Sequence, residues 1–362
     1  MKLKQGRIGF AAGTSLAALA VFSSEVFSID SKTMYANGNA SYAALPLAVM
    51  ISLLILLPAA AVSEGGLAGL FADAFGKAGG AVAAAVVSVG FVRAAAKPMT
   101  GFLEVLARLV FDGVPYARIL LYIMPVTVLI AWKGFESIGR LALVFSGLIF
   151  VSVLIAAASA APEFEVSRLY PLPSVNADTA GKTLSGTAFA LPPLAALLTN
   201  EKGLGGKRNV LKTAAAAAAL SAVLICFTQL ALGLVYPYGI LSGLSMPLYR
   251  INFLSLRQSY ALRLDKLFIM MWLTGCVISC AYLVYSASLL LTVSFSARDV
   301  TPAVFTLSAA VFCFATAEFS EKYAAVSFAE SFFSRFGALF AAVPILLAAA
   351  VGSIRKGRRI PS

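Results

Sequence analysis

The stretch TLSGTAFALPPLAALL, residues 183–198, decides the fold. It is apolar enough to enter a membrane, yet Pro192 and Pro193 stand within it. Each proline removes a backbone donor, and the pair disfavours helix at the preceding residue, so carbonyl groups are freed where no water can take them. Such a break persists only where protein or a wet cavity satisfies it. Thr187, Ala188, Phe189, Ala190 and Leu191 are accordingly expected to line a central cavity, with half-helix ends aimed into it. A simple packing kink is the alternative, because proline is common in membrane helices.

The rest of the chain agrees with a membrane setting. Of its 362 residues, 60% are hydrophobic and 12% charged, with a mean hydropathy of +0.91, too little polar surface to cover a water-soluble globule. Apolar runs recur from end to end, so a single membrane domain over 1–362 is expected. Approximate spans are 8–27, 42–62, 80–110, 116–132, 138–160, 183–198, 213–235, 262–293, 301–319 and 336–354. The N-terminal segment, basic and then apolar, lacks a convincing cleavage site after Phe27 and is read as a first helix that stays.

The net charge of +12 does not call for nucleic acid. With about ten spans both termini share one side, and Lys2, Lys4, Arg7, Lys77, Lys133, Arg140, Lys202, Lys207, Arg208, Lys212, Arg298, Arg355, Lys356, Arg358 and Arg359 share it with them. The positive-inside rule makes that side cytoplasmic. The chain has no histidine, which excludes imidazole metal sites and His relays, and its four cysteines all sit in apolar segments. Cys276 and Cys280 are one turn apart, a spacing read as buried small side chains in preference to a zinc site. No nucleophile with its base, phosphate-cradling loop or cofactor motif is present; Gly203-Leu204-Gly205-Gly206 lacks the Walker spacing.

Two halves of the sequence match. The first and sixth helices carry the breakers, Gly9, Gly13, Thr14 and Ser15 in one and Gly186, Thr187, Pro192 and Pro193 in the other. The third and eighth are the longest, and short amphipathic stretches, 67–75 and 238–260, precede each of them. Recurrence five helices later is the pattern of two repeats of five inserted in opposite orientation, approximately 8–160 and 183–354. A pair of broken helices suits a small zwitterion such as an amino acid, amide ends taking its carboxylate and carbonyl ends its ammonium.

On the third helix Arg93, Lys97, Thr100, Gly101, Glu104 and Arg108 share a face. Charge in mid-membrane is costly, so the stripe must face the interior of the bundle. Lys97, beside Pro98, is the most deeply placed cation; it belongs either to a substrate or proton pathway or to a structural ion pair, whereas Arg108 reads as snorkelling. Lys97 with Glu104, or Glu104 with Arg108, is expected to pair along the helix. On the eighth helix Ser279 and Tyr282 belong to a semi-polar face with Cys276, Tyr285 and Ser286, whose hydroxyls either bind a ligand or knit helices. Glu25 and Glu318 are read as boundary residues. The candidate ligand-binding set is Gly13, Thr14, Ser15, Lys97, Gly186, Thr187, Phe189, Ser279 and Tyr282.

Three short segments carry a resemblance. Lys133-Gly134-Phe135-Glu136-Ser137-Ile138-Gly139-Arg140-Leu141-Ala142 is similar to a Gly-x-Glu-x-x-x-Arg signature, Arg263-Leu264-Asp265-Lys266-Leu267-Phe268 with Trp272 resembles a second recurrent segment, and Tyr236-Pro237 fits a third. Together they resemble the spore germination permease family, a branch of the amino acid, polyamine and organocation transporter superfamily. An Asp-x-Trp element usual in that family after the first helix is replaced here by Asn37-Gly38-Asn39-Ala40-Ser41-Tyr42. The resemblance implies an all-α membrane protein of the LeuT/APC-like fold, acting as the permease-like B subunit of a germinant receptor in the inner membrane of a bacterial spore. It implies A-type and C-type receptor subunits as partners, a small-molecule germinant such as an amino acid as ligand, and a cytoplasmic structural or coupling role for Lys133, Glu136 and Arg140. The alternative is a proton-coupled amino acid transporter, against which the fifth helix counts: its core, 141–160, holds no titratable group.

Overall fold

The computed structural model describes residues 6–26, 41–170, 190–241, 251, 264–317 and 324–357. Within these the chain is helical, with no strand. The helices used below are α1 (Phe10–Val26), α2 (Ser41–Val62), α3 (Gly66–Leu109), α4 (Tyr116–Lys133), α5 (Phe135–Ser159), α6 (Ala190–Thr199), α7 (Lys207–Val235), α8 (Leu264–Ser294), α9 (Thr301–Ala317) and α10 (Ala324–Gly357). Among the described residues six are long and apolar enough to cross a membrane, in α2, α3, α4, α5, α7 and α8; the apolar parts of α1, α6, α9 and α10 are shorter.

The packing carries the inverted repeat. Helix α2 packs on α7, α3 on α8 and α4 on α9, each against the helix five places later. That is the arrangement expected when an axis in the membrane plane relates two five-helix sets. Helix α8 is the hub, packed on α1, α3, α4, α5 and α9, and most of its apolar span is buried inside the protein. Helix α1 is buried on every side from Leu16 to Val26, and α6 is fully buried at Ala190, Leu191 and from Leu194 to Leu198. Helices apolar all round belong in the middle of a bundle. By contrast α4 and α5 turn Leu121, Tyr122, Val144 and Val151 outward, the surface a lipid phase covers.

The amphipathic stretch 67–75 precedes the long apolar run as a helical segment set off from it by a break in α3 at Gly76, where φ is 75° and ψ 179°. Its Leu67, Leu70, Phe71 and Ala74 point into the core at helical spacing. Two expectations change. Among the described residues α10 spans 34 and α8 31, because α10 starts well before the apolar run from which its span was read. Finally, α1 runs without interruption from Phe10 through Gly13, Thr14 and Ser15, the Gly13 amide donating to the Gly9 carbonyl at 3.0 Å. Gly, Thr and Ser each keep their N–H, so unlike proline they permit unwinding without forcing it. Of the second amphipathic stretch, 238–260, only Tyr238–Leu241, a single helical turn, and Ile251 fall among the described residues.

Candidate functional site

The site is built around α8, which hydrogen-bonds to the helices on either side of it. Towards α1, the Ser279 hydroxyl donates to its own Gly275 carbonyl at 2.8 Å and faces the Ser23 hydroxyl at 3.1 Å. Towards α6, the Tyr282 hydroxyl donates to the Pro193 carbonyl at 3.0 Å, and the Asn200 side-chain amide donates to the Ser286 hydroxyl at 2.8 Å. Ser279, Tyr282, Ser286 and Asn200 are all fully buried. These contacts tie α8 to α1 and α6. The aromatic ring of Phe135, at the start of α5, lies tilted against Tyr282 and stacked on Tyr285.

Pro192 and Pro193 lie within the described part of α6, where both are buried. Gly186, Thr187 and Phe189, with the expected cavity wall before Ala190, lie outside the described residues.

On α1, Gly13 is buried at a close approach: a Cβ there would stand 2.8 Å from Leu204 Cδ2 and 3.0 Å from Thr213 Cγ2 on α7. Thr14 and Ser15 are half-buried. The Thr14 Oγ1 and the Thr213 Oγ1 are buried without a hydrogen-bond partner among the described residues. Buried hydroxyls are normally satisfied, so this pair of orphans marks polar capacity held in reserve where α1 meets α7.

The charged stripe of α3 runs from interior to surface. Arg93 and Thr100 are buried, Lys97, Gly101 and Glu104 half-buried and Arg108 exposed. Glu104 pairs with Arg108 at 2.9 Å, the second of the two pairings considered from sequence. Glu25 of α1, read from sequence as a boundary residue, is 6% exposed, and its Oε1 has no hydrogen-bond partner among the described residues. Sequence reading missed Asn200, a buried amide whose Oδ1 is also unpartnered among the described residues.

The Gly-x-Glu-x-x-x-Arg segment has a structural reading. Gly134 turns α4 into α5 with φ 90° and ψ 178°, and Glu136 pairs with Arg140 one turn on. Phe135 packs on Gly203, whose carbonyl accepts the Ile8 amide at 3.0 Å. Lys133, Glu136, Ser137 and Arg140 line a polar pocket of about 260 Å³ with Gly6 and Tyr285. Cys276 and Cys280 are buried free thiols, and no cluster of metal-binding side chains occurs among the described residues.

A bundle of helix sets packed around buried central helices has the form of a secondary-transporter fold, and comparison with solved structures agrees. The chain resembles a Na+-coupled sialic acid symporter in a substrate-bound outward-open state, with a TM-score of 0.68 and 9% identity over 98% of this chain and 91% of that one. It also resembles MHP1, a nucleobase-cation-symport-1 family transporter in a closed conformation with bromovinylhydantoin bound, with a TM-score of 0.63 and 11% identity over 99% and 94% of the two chains. No curated protein sequence matches. The chain belongs to the spore germination protein family, whose model matches residues 43–324.

Proposed function

We propose that this chain is the permease-like subunit of a spore germinant receptor. In this reading it binds a small germinant, an amino acid, among α1, α3, α6 and α8, and signals to A-type and C-type subunits in the spore inner membrane with both termini cytoplasmic. The observation that carries the reading is the family match over residues 43–324 of a chain with the architecture of solute symporters. A fold that alternates between states around a solute becomes a receptor when the solute binds one state more tightly and partners read that state. The Thr14 hydroxyl on α1, without a hydrogen-bond partner among the described residues, and the half-buried Lys97 on α3 supply polar groups for the ligand. Gly13, Ser15, Gly186, Thr187 and Phe189 complete the proposed region, and Ser279 and Tyr282 shape its wall by tying α8 to its neighbours.

The experiment is uptake of labelled amino acids by the purified chain in proteoliposomes, beside equilibrium binding of the same compounds. Saturable binding without accumulation under a proton gradient is expected. Robust gradient-driven accumulation by this chain alone overturns the receptor reading in favour of a proton-coupled amino acid transporter.

A further inference from the structure

Between α4 and α9 lies an apolar groove of about 530 Å³, walled by Leu121, Val128 and Trp132 on one helix and by Phe305 and Phe312 on the other. Leu121, Trp132 and Phe305 are exposed, so the groove opens outward, onto the surface that lipid covers. From Leu121 to Trp132 is about 16 Å at 1.5 Å of rise per residue. A hydrocarbon core is about 30 Å thick, so the groove is one leaflet deep. A neighbouring membrane helix would run the full thickness and pack best on small residues. A wall of Trp, Phe and Leu, one leaflet long, fits an acyl chain instead.

At the Trp132 end the groove gives way to polar ground. Lys133, next in sequence, lines the polar pocket of about 260 Å³ together with Ser137 and Arg140 of α5, and its ammonium lies over the Trp132 ring at 5.7 Å. Tryptophan at headgroup level with a lysine beside it marks a helix end at the membrane interface. Glu136 faces the same pocket and is held by Arg140. A guanidinium carries five N–H donors, so Arg140 can hold Glu136 and still donate to a second anion.

We propose that groove and pocket together form a site for one anionic glycerophospholipid, with an acyl chain between α4 and α9 and the phosphate on Lys133 and Arg140. Basic pockets between membrane helices are where anionic headgroups are held. The site lies apart from the germinant region among α1, α3, α6 and α8, and it stands whichever solute binds there. Helices α4 and α9 are one of the pairs that join the two repeats, so a lipid seated across them stabilises the fold by binding it.

The test uses the full chain in detergent micelles. Its Tm is followed as phosphatidylglycerol, phosphatidylcholine with the same chains, or soluble glycerol phosphate is added. A phosphatidylglycerol with a photoreactive diazirine in its acyl chain is then crosslinked and the labelled residues are mapped by mass spectrometry. Phosphatidylglycerol is expected to raise Tm at concentrations at least about fivefold below those needed of phosphatidylcholine, and glycerol phosphate to have no effect. Labels should fall on residues 121–132 and 305–312. Lys133→Gln should remove the preference for phosphatidylglycerol and Lys133→Arg keep it. Equal action of the two lipids, or labels spread evenly over the groove and the exposed Val144 and Val151 of α5, overturns the site. Glycerol phosphate as effective as the lipid would reduce it to an anion pocket and overturn the role of the groove. An unlabelled groove in a chain that migrates as a dimer would give that face to a second copy and overturn the lipid. The wild-type labelling needs no substitution, so it decides the matter even where a variant does not fold.

Discussion

The Tyr282 hydroxyl of α8 donates to the Pro193 carbonyl of α6 at 3.0 Å, within a site that excludes solvent from both. This bond ties the hub helix to the helix that carries the Pro-Pro pair. A net hydrogen bond of this kind contributes about 1 kcal/mol. Tyr282→Phe keeps the ring packed on Phe135 and removes only the hydroxyl, so Tm in nanodiscs is expected to fall by a few degrees with ligand affinity within about twofold of wild type. A Tm unchanged beside affinity lost more than tenfold would show that the hydroxyl serves the ligand.

Thr14→Val is expected to do the reverse. The Thr14 Oγ1 is buried without a partner among the described residues, so a methyl in its place removes an unsatisfied polar atom at nearly the same volume. Stability should hold or rise by up to about 1 kcal/mol, because an unpaired buried group costs free energy to keep. Binding of the germinant should weaken if the orphan is kept for it. Equal affinity for wild type and Thr14→Val, measured by the same titration, removes Thr14 from the site.

These two residues also show what the sequence could disclose. Apolar runs of span length carried the helices, and the matching of the third helix with the eighth accords with the packing of α3 on α8, because burial in lipid leaves a one-dimensional trace. The side-chain roles were less legible. Thr14 stood out beside Gly13 as a breaker, but whether a helix unwinds at residues that keep their N–H is settled by their neighbours, and here Leu204 and Thr213 pack against an intact helix. Glu25 looked like a solvated helix end because distance along the chain measures depth poorly. Its burial comes from the helices packed round α1, which sequence spacing does not contain. The Gly134 segment was recognisable as a motif, while its contacts with Gly203 and residues 6–8 join parts of the chain far apart in sequence.

Gly134 links α4 and α5 at φ 90° and ψ 178°, a backbone region essentially closed to residues with a Cβ. Space is not the obstacle: the nearest atom to an added Cβ is Tyr285 Cε2 at 3.9 Å. Gly134→Ala is therefore expected to destabilise the chain by about 1 to 3 kcal/mol through backbone strain alone. Increased hydrogen exchange in the first turn of α5 should accompany the loss, with the Glu136–Arg140 pair loosened beside it. A Gly134→Ala protein with wild-type Tm and exchange would mean that the turn adopts another conformation.

Asp299 closes the start of α9, its Oδ1 accepting the Thr301 amide at 3.1 Å and the Thr301 hydroxyl at 3.0 Å. The amide is one of the helix-end donors with no intrahelical acceptor, and a charged acceptor suits it best. The backbone bond from Thr301 and then its side-chain bond hold the Asp299 carboxyl below the usual carboxylate range. The folded-state value is thus lower than the unfolded one. The resulting stabilisation is present above the unfolded value and is lost as pH falls through the folded value, a window at and below the ordinary aspartate range. Hydrogen exchange of the first turn of α9 should quicken across that acidic window in wild type. Asp299→Asn keeps an acceptor oxygen but has no charge to titrate, so its exchange in that turn should be pH-independent once corrected for intrinsic rates. A wild-type first turn equally protected on both sides of the window would show that Asp299 does not hold α9 closed.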